Sequence, residues 1–206
     1  IEDADNIKDF IEKNEPKRAL IIGAGYIGLE LAENLHNRGI FVTIVELADQ
    51  VMAPLDFEMA AIVHNHLKNK GIEFYLGNSV TSFSESNNRI NVQLKDGKTF
   101  FVDMVILSIG VKPDVSLAKK AGLKIGAKGG ILVNEYLQTS DPDIYAIGDV
   151  IEVSNGITGK NALIPLAGPA NKQGRIVADN IVFGNREKYK NTFGSAIAKV
   201  FDLTVA

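Results

Sequence analysis

The sequence contains no cysteine among its 206 residues. This absence excludes disulfide bonds, thiolate zinc sites and a catalytic thiol within these residues. It is compatible with the cytoplasm, which is the location we expect. No apolar run approaches the roughly 18 residues that a membrane helix needs, and no signal-peptide pattern opens the chain. We therefore expect no membrane association.

Neither sign of charge dominates, since 22 lysines and arginines stand against 25 aspartates and glutamates. Because there is no basic block, the composition argues against a nucleic-acid binder. The histidines, His36, His64 and His66, have no cluster of acids beside them that would complete a metal site. We predict that they are surface or packed residues and that no metal is bound.

The chain begins at Ile1 and ends in an apolar run over residues 200–206. We interpret it as a piece of a longer protein, and a trimmed small protein is the alternative. With 46% apolar residues, its 206 residues are enough for one or two globular domains.

The first part of the chain predicts a strand, a glycine turn, a helix and a second strand. Residues 19–22 are a short apolar run that leads directly into Gly23-Ala24-Gly25-Tyr26-Ile27-Gly28. Apolar residues then recur at helical spacing as far as Gly39, and an apolar run over 41–45 ends at Glu46. This order is typical of a βαβ unit with parallel strands.

The pattern then changes from the helical period to the strand period. Residues 54–71 predict a helix that is followed by a strand over 72–76. Alternating residues predict an antiparallel meander, and a buried strand over 104–109 leads to Gly110. The remaining predicted elements are helices over 5–14 and 169–183 and strands over 131–133 and 144–147. We therefore predict an α/β fold, with a Rossmann-type parallel sheet and a β-meander as its later crossover.

The glycine turn has the spacing of a dinucleotide-binding loop. We expect Gly23 to permit the tight turn, Gly25 to let a pyrophosphate approach the backbone, and Gly28 to let the helix pack close to the sheet. The helix N-terminus would offer unpaired N–H groups and a partial positive charge to the phosphates. A purely structural turn does not explain the acid at the end of the next strand.

That acid, Glu46, follows Gly28 by 18 residues. A carboxylate at this place can accept both ribose hydroxyls and would repel a 2′-phosphate. Residues 47–52 contain no arginine or lysine that could hold such a phosphate. We predict that the site prefers NADH to NADPH.

Two residues beside the turn have two interpretations each. Glu30, which we place in the first helical turn, is either a favourable acid near a helix N-terminus or a polar contact near the nicotinamide. Tyr26 is either a packing residue or a ring that covers the nicotinamide pocket, and the sequence favours packing.

A second candidate site lies at Gly148-Asp149, after the apolar run over 144–147. A small residue followed by an acid at the end of a strand suits contact with a sugar or polyol hydroxyl. Gly-Asp also occurs in ordinary turns, so this pattern is less specific than the glycine loop.

Together these motifs resemble the pyridine nucleotide-disulfide oxidoreductases, flavoproteins with two dinucleotide sites. The resemblance rests on residues 23–28, Glu30, Glu46, the strand end at Ile109-Gly110, and residues 139–149. Residues 164–175 are similar to the branch that contains coenzyme A-disulfide reductases, NADH oxidases and NADH peroxidases. The resemblance spans essentially the whole chain.

The resemblance implies a layout. Residues 1–112 would be the NADH-binding domain, residues 113–190 the second segment of an FAD-binding domain, and residues 191–206 the start of a dimer-interface domain of a homodimer. The residues implied to hold NADH are Gly23, Gly25, Tyr26, Ile27, Gly28, Glu30, Glu46 and Gly110. Those implied to hold FAD are Gly148 and Asp149 at the ribityl chain and Pro165, Leu166 and Ala167 at the flavin ring.

This sequence departs from the family in one respect. The family carries another glycine-rich FAD motif and, in most members, a redox-active cysteine, and this chain has neither. We expect a fragment that binds NADH, has an incomplete FAD site and no catalytic residue, and does not turn over. Its parent would pass hydride from NADH to FAD and reduce a small molecule: a disulfide such as coenzyme A disulfide, a peroxide or oxygen. The alternatives are a non-catalytic NAD-sensing module and a flavin-free NAD dehydrogenase.

Overall fold

The computed structural model describes residues 2–206, which form two compact units. One unit extends to Gly110 and also contains Ile197–Ala206, and the other is Val111–Ala196. Within the described residues, no helix has the length and apolar character needed to cross a membrane. The functional identity of each unit stays a prediction.

The first unit is built on a four-stranded sheet of parallel strands. Its elements as far as the end of this sheet are α1 Glu2–Asn14, β1 Arg18–Ile22, α2 Tyr26–Asn37, β2 Phe41–Val45, α3 Phe57–Asn69, β3 Glu73–Tyr75, β4 Val80–Ser86, β5 Arg89–Leu94, β6 Thr99–Val102 and β7 Met104–Leu107. The sheet order is β3-β2-β1-β7. Ile22 pairs with Val45 on one side and with Leu107 on the other, so three strands end at the same edge. The predicted α/β fold is confirmed.

The segment β4-β5-β6 forms the antiparallel meander that the alternating pattern predicted. The strand after it is shorter and less buried than expected, because β7 ends at Leu107 rather than at Ile109. Leu107 and Ile109 are 64% and 73% exposed. β7 is the edge strand of the sheet and pairs only with β1, and this pairing ends with Ile22 opposite Leu107.

The second unit has shorter strands and one long helix. Its elements are α4 Ser116–Lys120, β8 Ile131–Leu132, a 3₁₀ turn Gly148–Val150, β9 Ile151–Ser154, β10 Asn161–Ala162 and α5 Ala167–Phe183. The sheet order is β10-β9-β8, and Leu137, Ile151 and Ile176 lie in the core.

Some predicted boundaries and one predicted strand are wrong. The first helix begins at Glu2 rather than at residue 5, and α5 begins at Ala167 rather than at residue 169. Residues 144–147 do not form a strand, and Tyr145 makes only a single antiparallel bridge to Gln138. A run of apolar residues becomes a strand only where a neighbouring segment can pair with it over several residues.

The last residues form a hairpin, β11 Ala198–Val200 and β12 Leu203–Val205, that packs in the first unit. The Phe201 ring lies in the same core cluster as α2 and α3, between His36 and His66. Glu33 on α2 accepts the Phe201 N–H at 2.7 Å, which anchors the tip of the hairpin.

Candidate functional site

The glycine turn lies at the edge where β1, β2 and β7 end. Gly23 donates its N–H to the Val45 carbonyl at 2.8 Å and has a φ of +105°. A side chain at this position would also overlap the backbone carbonyl of Ser108, just after β7. Only glycine fits both the left-handed backbone and the close approach of the neighbouring strand.

The other two glycines of the loop differ in what surrounds them. A Cβ atom on Gly28 would overlap the Gly23 carbonyl oxygen, so α2 passes close above the turn. A Cβ atom on Gly25 would meet nothing within 4 Å. Gly28 is therefore required by the packing of the protein itself, whereas the space beside Gly25 is open to a ligand.

The N-terminus of α2 faces this open space with its backbone donors. Gly25 is the N-cap and provides no side-chain cap, and its carbonyl accepts the Leu29 N–H at 3.1 Å. The N–H groups of Tyr26, Ile27 and Gly28 precede that first helical bond and have no acceptor within the helix. Such donors, together with the positive end of the helix dipole, suit a phosphate group.

The Glu46 carboxylate is hydrogen-bonded to the glycine loop and to the segment that follows Glu46 itself. One oxygen, Oε2, accepts the Ala24 N–H at 2.6 Å, and Oε1 accepts the Ala48 N–H at 2.9 Å. Each carboxylate oxygen has about two acceptor positions, so one remains on each oxygen for a sugar hydroxyl. Sequence reasoning predicted the position of this acid but missed its bond to the loop, because Ala24 has no polar side chain that would signal it.

The segment after Glu46 is also bound to the glycine loop. Met52 donates its N–H to the Ala24 carbonyl at 2.9 Å, and the Ala48 carbonyl accepts the Gly77 N–H at 2.7 Å. Ala24, Glu46, Ala48 and Met52 therefore form one hydrogen-bonded group. The structure brings together the loop and the acid that the sequence singled out 18 residues apart.

The remaining residues of this predicted site surround the turn in different ways. Tyr26 is partly buried against the core, whereas Ile27 is exposed. Glu30 is exposed and lies in the second turn, because α2 begins at Tyr26 and has no acid in its first turn. The predicted first-turn position of Glu30 is wrong, and an effect of the helix dipole there is weaker. Gly110 is exposed and has a φ of +93°.

The second candidate site, in the other unit, is joined to α5 by a buried side chain. Gln173 is 2% exposed, and its Oε1 accepts the Gly148 N–H at 2.7 Å. Asp149 lies next to this bond in the 3₁₀ turn and is exposed. Gln173 lies within residues 164–175, which the sequence analysis singled out only for their resemblance, and the fold alone shows that it faces the Gly148 peptide.

The residues expected at the flavin ring lie at the beginning of α5. Leu166 is the N-cap, without a side-chain cap, and its carbonyl accepts the Ala170 N–H at 3.2 Å. Pro165 and Ala167 on either side of it are exposed. The first N–H groups of this 17-residue helix are therefore available at its N-terminus.

Comparisons with known proteins agree on one family. The family model described as pyridine nucleotide-disulphide oxidoreductase matches residues 1–174. The NADH oxidase of Methanocaldococcus jannaschii is 43% identical over the whole chain, which spans 45% of that protein. A coenzyme A disulfide reductase of Staphylococcus aureus is 33% identical, again over the whole chain and 46% of the relative. The chain thus spans about half the length of these curated relatives.

Solved structures give the same result. The structure of reduced CoADR-RHD from Bacillus anthracis matches 99% of this chain at 51% identity and a TM-score of 0.94. This chain covers 36% of that protein. An FAD-dependent pyridine nucleotide-disulphide oxidoreductase from Desulfovibrio vulgaris matches 99% of the chain, which covers 52% of it, at 34% identity and a TM-score of 0.86. The resemblance noted in the sequence motifs is confirmed.

Proposed function

Because the chain belongs to the pyridine nucleotide-disulphide oxidoreductase family, we propose that its first unit binds NADH as part of an FAD-dependent oxidoreductase. The observation that carries this proposal is the Glu46 carboxylate, hydrogen-bonded at 2.6 Å to the loop whose Gly25 has open space beside it. A loop that needed only to turn would require neither the acid nor the open space.

The loop residues would hold the diphosphate through backbone groups. The donors are the N–H groups at the start of α2, and Gly25 gives them a surface without side chains. Glu46 would accept the hydroxyls of the adenosine ribose with the acceptor positions that Ala24 and Ala48 leave free. Tyr26, Ile27, Glu30 and Gly110 would line the rest of the nucleotide.

The same carboxylate supports a preference for NADH over NADPH. A 2′-phosphate would place negative charge beside Glu46, which repels it, and residues 47–52 include no cation. Its oxygens already accept the Ala24 and Ala48 N–H groups, so the acid cannot turn away without breaking two hydrogen bonds.

The second unit would supply part of an FAD site. Asp149 would bind the ribityl hydroxyls, with Gly148 held by Gln173, and Pro165, Leu166 and Ala167 would lie at the flavin ring. When bound, FAD supplies a group that accepts hydride from NADH and passes electrons onward. The N-terminus of α5 would stabilise negative charge beside it.

We propose that the parent protein is a homodimer that reduces a disulfide such as coenzyme A disulfide, a peroxide or oxygen. The proposed layout is an NADH domain over 1–112, an FAD segment over 113–190 and the start of an interface domain over 191–206. The 206 residues contain no thiol, so thiol exchange would need a cysteine from outside them. We expect no NADH-dependent disulfide reduction by this chain alone.

Nucleotide titration tests the proposal. NADH and NADPH are titrated into the chain and binding is followed by nucleotide fluorescence, with Glu46→Ser beside the wild type. We expect the wild type to bind NADH at least about tenfold more tightly than NADPH, and the variant to lose most of this ratio. Tighter binding of NADPH by the wild type would contradict the role of Glu46, and no binding of either would contradict the proposal.

A spectroscopic measurement on the full-length parent tests the flavin part. Protein that carries a yellow cofactor bleached by NADH is the expected result. Colourless protein that still binds NADH would instead favour a sensing module or a flavin-free dehydrogenase.

A further inference from the structure

His64 contacts the segment that follows Glu46. Its Nε2 accepts the Val51 N–H at 3.1 Å. Its ring lies against Phe57 and Phe74, with centroid distances of 6.3 and 5.6 Å. Because Nε2 is the acceptor, the proton of the neutral ring is on Nδ1. The two aromatic rings hold the imidazole on the side of α3 where Val51 passes.

The backbone that His64 binds is in an unusual conformation. Met52, the next residue, has a φ of +49°, a region that a residue with a side chain rarely adopts. Val51 and Met52 are 0% and 1% exposed. Such a conformation persists only where surrounding contacts determine it, and it is common in segments that hold ligands.

A continuous set of hydrogen bonds leads from His64 to the nucleotide loop. His64 binds the Val51 amide, and the adjacent Met52 amide binds the Ala24 carbonyl at 2.9 Å. The Ala24 amide in turn binds Glu46 at 2.6 Å. Through these bonds His64 Nε2 on α3 helps to fix the positions of both the glycine loop and Glu46.

We propose that His64 is a positioning residue for the nucleotide site, whose unprotonated Nε2 holds the segment between Glu46 and α3 in its binding conformation. The inference rests on the proposed function, because it assigns a role at the same site. His64 touches neither the glycine loop nor Glu46 directly and acts through Val51 and Met52.

This role makes nucleotide binding depend on pH. A protonated imidazole donates from both nitrogens and cannot accept the Val51 N–H. Burial, together with the charge of Lys68 on the same helix, lowers the pKa of His64. The other groups that face it are uncharged: the Phe57 ring on the same helix, the Phe74 ring on β3 and the Val51 amide.

The lowered pKa of His64 sets the direction in which nucleotide affinity changes with pH. Above the ordinary histidine pKa of about 6.5 the His64 ring is neutral and its hydrogen bond to Val51 contributes fully. This contribution is lost as the pH falls through the lower pKa that His64 has in the folded chain. Nucleotide affinity should therefore be full at neutral pH and decrease in acid.

Three variants of the full chain test the role of the acceptor. His64→Leu removes it, His64→Gln keeps an acceptor that does not titrate, and His66→Gln is the control on the same helix. His66 faces Phe201 and Asp202 instead of the Val51 segment. The probe is ADP-ribose, which carries the diphosphate and ribose of NADH and is stable in acid, and calorimetry gives its dissociation constant.

At about pH 8 we expect His64→Leu to raise this constant about three- to tenfold, the effect of about one net hydrogen bond. His64→Gln and His66→Gln should stay within about twofold of the wild type. As the pH falls below about 6.5, binding by the wild type and by His66→Gln should weaken, and binding by His64→Gln should not. Equal affinity in His64→Leu and the wild type, or equal losses in both His64 variants, would overturn the inference.

Hydrogen exchange of the wild-type chain keeps the test valid if His64→Leu fails to fold. Exchange of the Val51 amide is compared with that of Ile44, an amide inside β2. The protection of Val51 relative to Ile44 should fall as the pH decreases through the His64 titration, and a constant ratio would overturn the inference. If the wild type binds no ADP-ribose at any pH, the proposed function fails as well, and the wild-type titration alone shows this.

Discussion

The two units each present one acid to a predicted cofactor, and they do so differently. In the first unit Glu46 is partly buried and accepts two backbone N–H groups. In the second unit Asp149 is exposed, and only the preceding peptide, at Gly148, is held by Gln173. The first acid is therefore part of the internal structure of its site, and the second is a side chain presented at a surface. Substitutions should distinguish residues on which the stability of the fold depends from residues that only face a ligand.

The largest effect is expected at Gly23, on which the turn of the first unit depends. Gly23→Ala combines a φ of +105° with an overlap with the Ser108 carbonyl. We expect a loss of about 3–4 kcal/mol in the free energy of unfolding, from backbone strain and the displaced strand end. Urea denaturation followed by circular dichroism measures it.

Gly25→Ala is the matched control for this prediction, since its Cβ would meet nothing within 4 Å. Its free energy of unfolding should stay within about 1 kcal/mol of the wild type, while NADH affinity falls because the methyl group occupies ligand space. Equal destabilisation by the two variants would contradict the distinction between a structural and a ligand-facing glycine.

A buried amide in the second unit should have the next largest effect. Asn180 is 1% exposed, and its side chain accepts the Arg186 and Glu187 N–H groups and donates to the Tyr136 and Glu187 carbonyls. Asn180→Ala leaves these groups without partners and should cost about 3 kcal/mol. The unfolding of the second unit should shift while NADH affinity stays unchanged, and a loss of affinity would contradict this prediction.

A smaller effect is expected at Asp103 in the first unit. Burial raises the pKa of this carboxyl, but hydrogen bonds from the Lys17 and Arg18 amides and from Arg89 outweigh it, so the pKa lies below its usual value. The stabilisation is then present above the ordinary value of about 3.9 and is lost as the pH falls through the lower folded value.

Asp103→Asn should therefore cost about 1–2 kcal/mol at neutral pH. It should also flatten the decrease in stability below about pH 4. Denaturation across this range measures both, and a wild type and variant with parallel pH profiles would contradict the prediction.

The smallest effect is expected at the exposed acid itself. Asp149→Ala should change the free energy of unfolding by less than about 0.5 kcal/mol and leave NADH affinity unchanged, as is usual for exposed residues without structural contacts. In the full-length parent the same variant should weaken FAD binding. A clear destabilisation of the isolated chain would show that Asp149, like Glu46, has an internal structural role.

Patterns in the sequence were sufficient for several elements of the first unit. The apolar runs, the glycine spacing and the change of period predicted β1, α2, β2 and the meander, because each depends on local residue types. The strand over residues 144–147 was wrong, since a strand requires a pairing neighbour that its own residues do not specify. The position of Glu30 was wrong by one turn, because the exact start of a helix depends on its cap.

The sequence by itself predicted which residues would serve a nucleotide: three glycines with the spacing of a dinucleotide-binding loop and one acid at the end of the next strand. The tertiary structure alone decided that this acid bonds to Ala24, that His64 holds Val51, and that Gln173 holds Gly148. In each pair the partner is a backbone N–H, which every residue type except proline possesses. No residue pattern marks such a partner, and only the path of the folded chain brings it to the side chain.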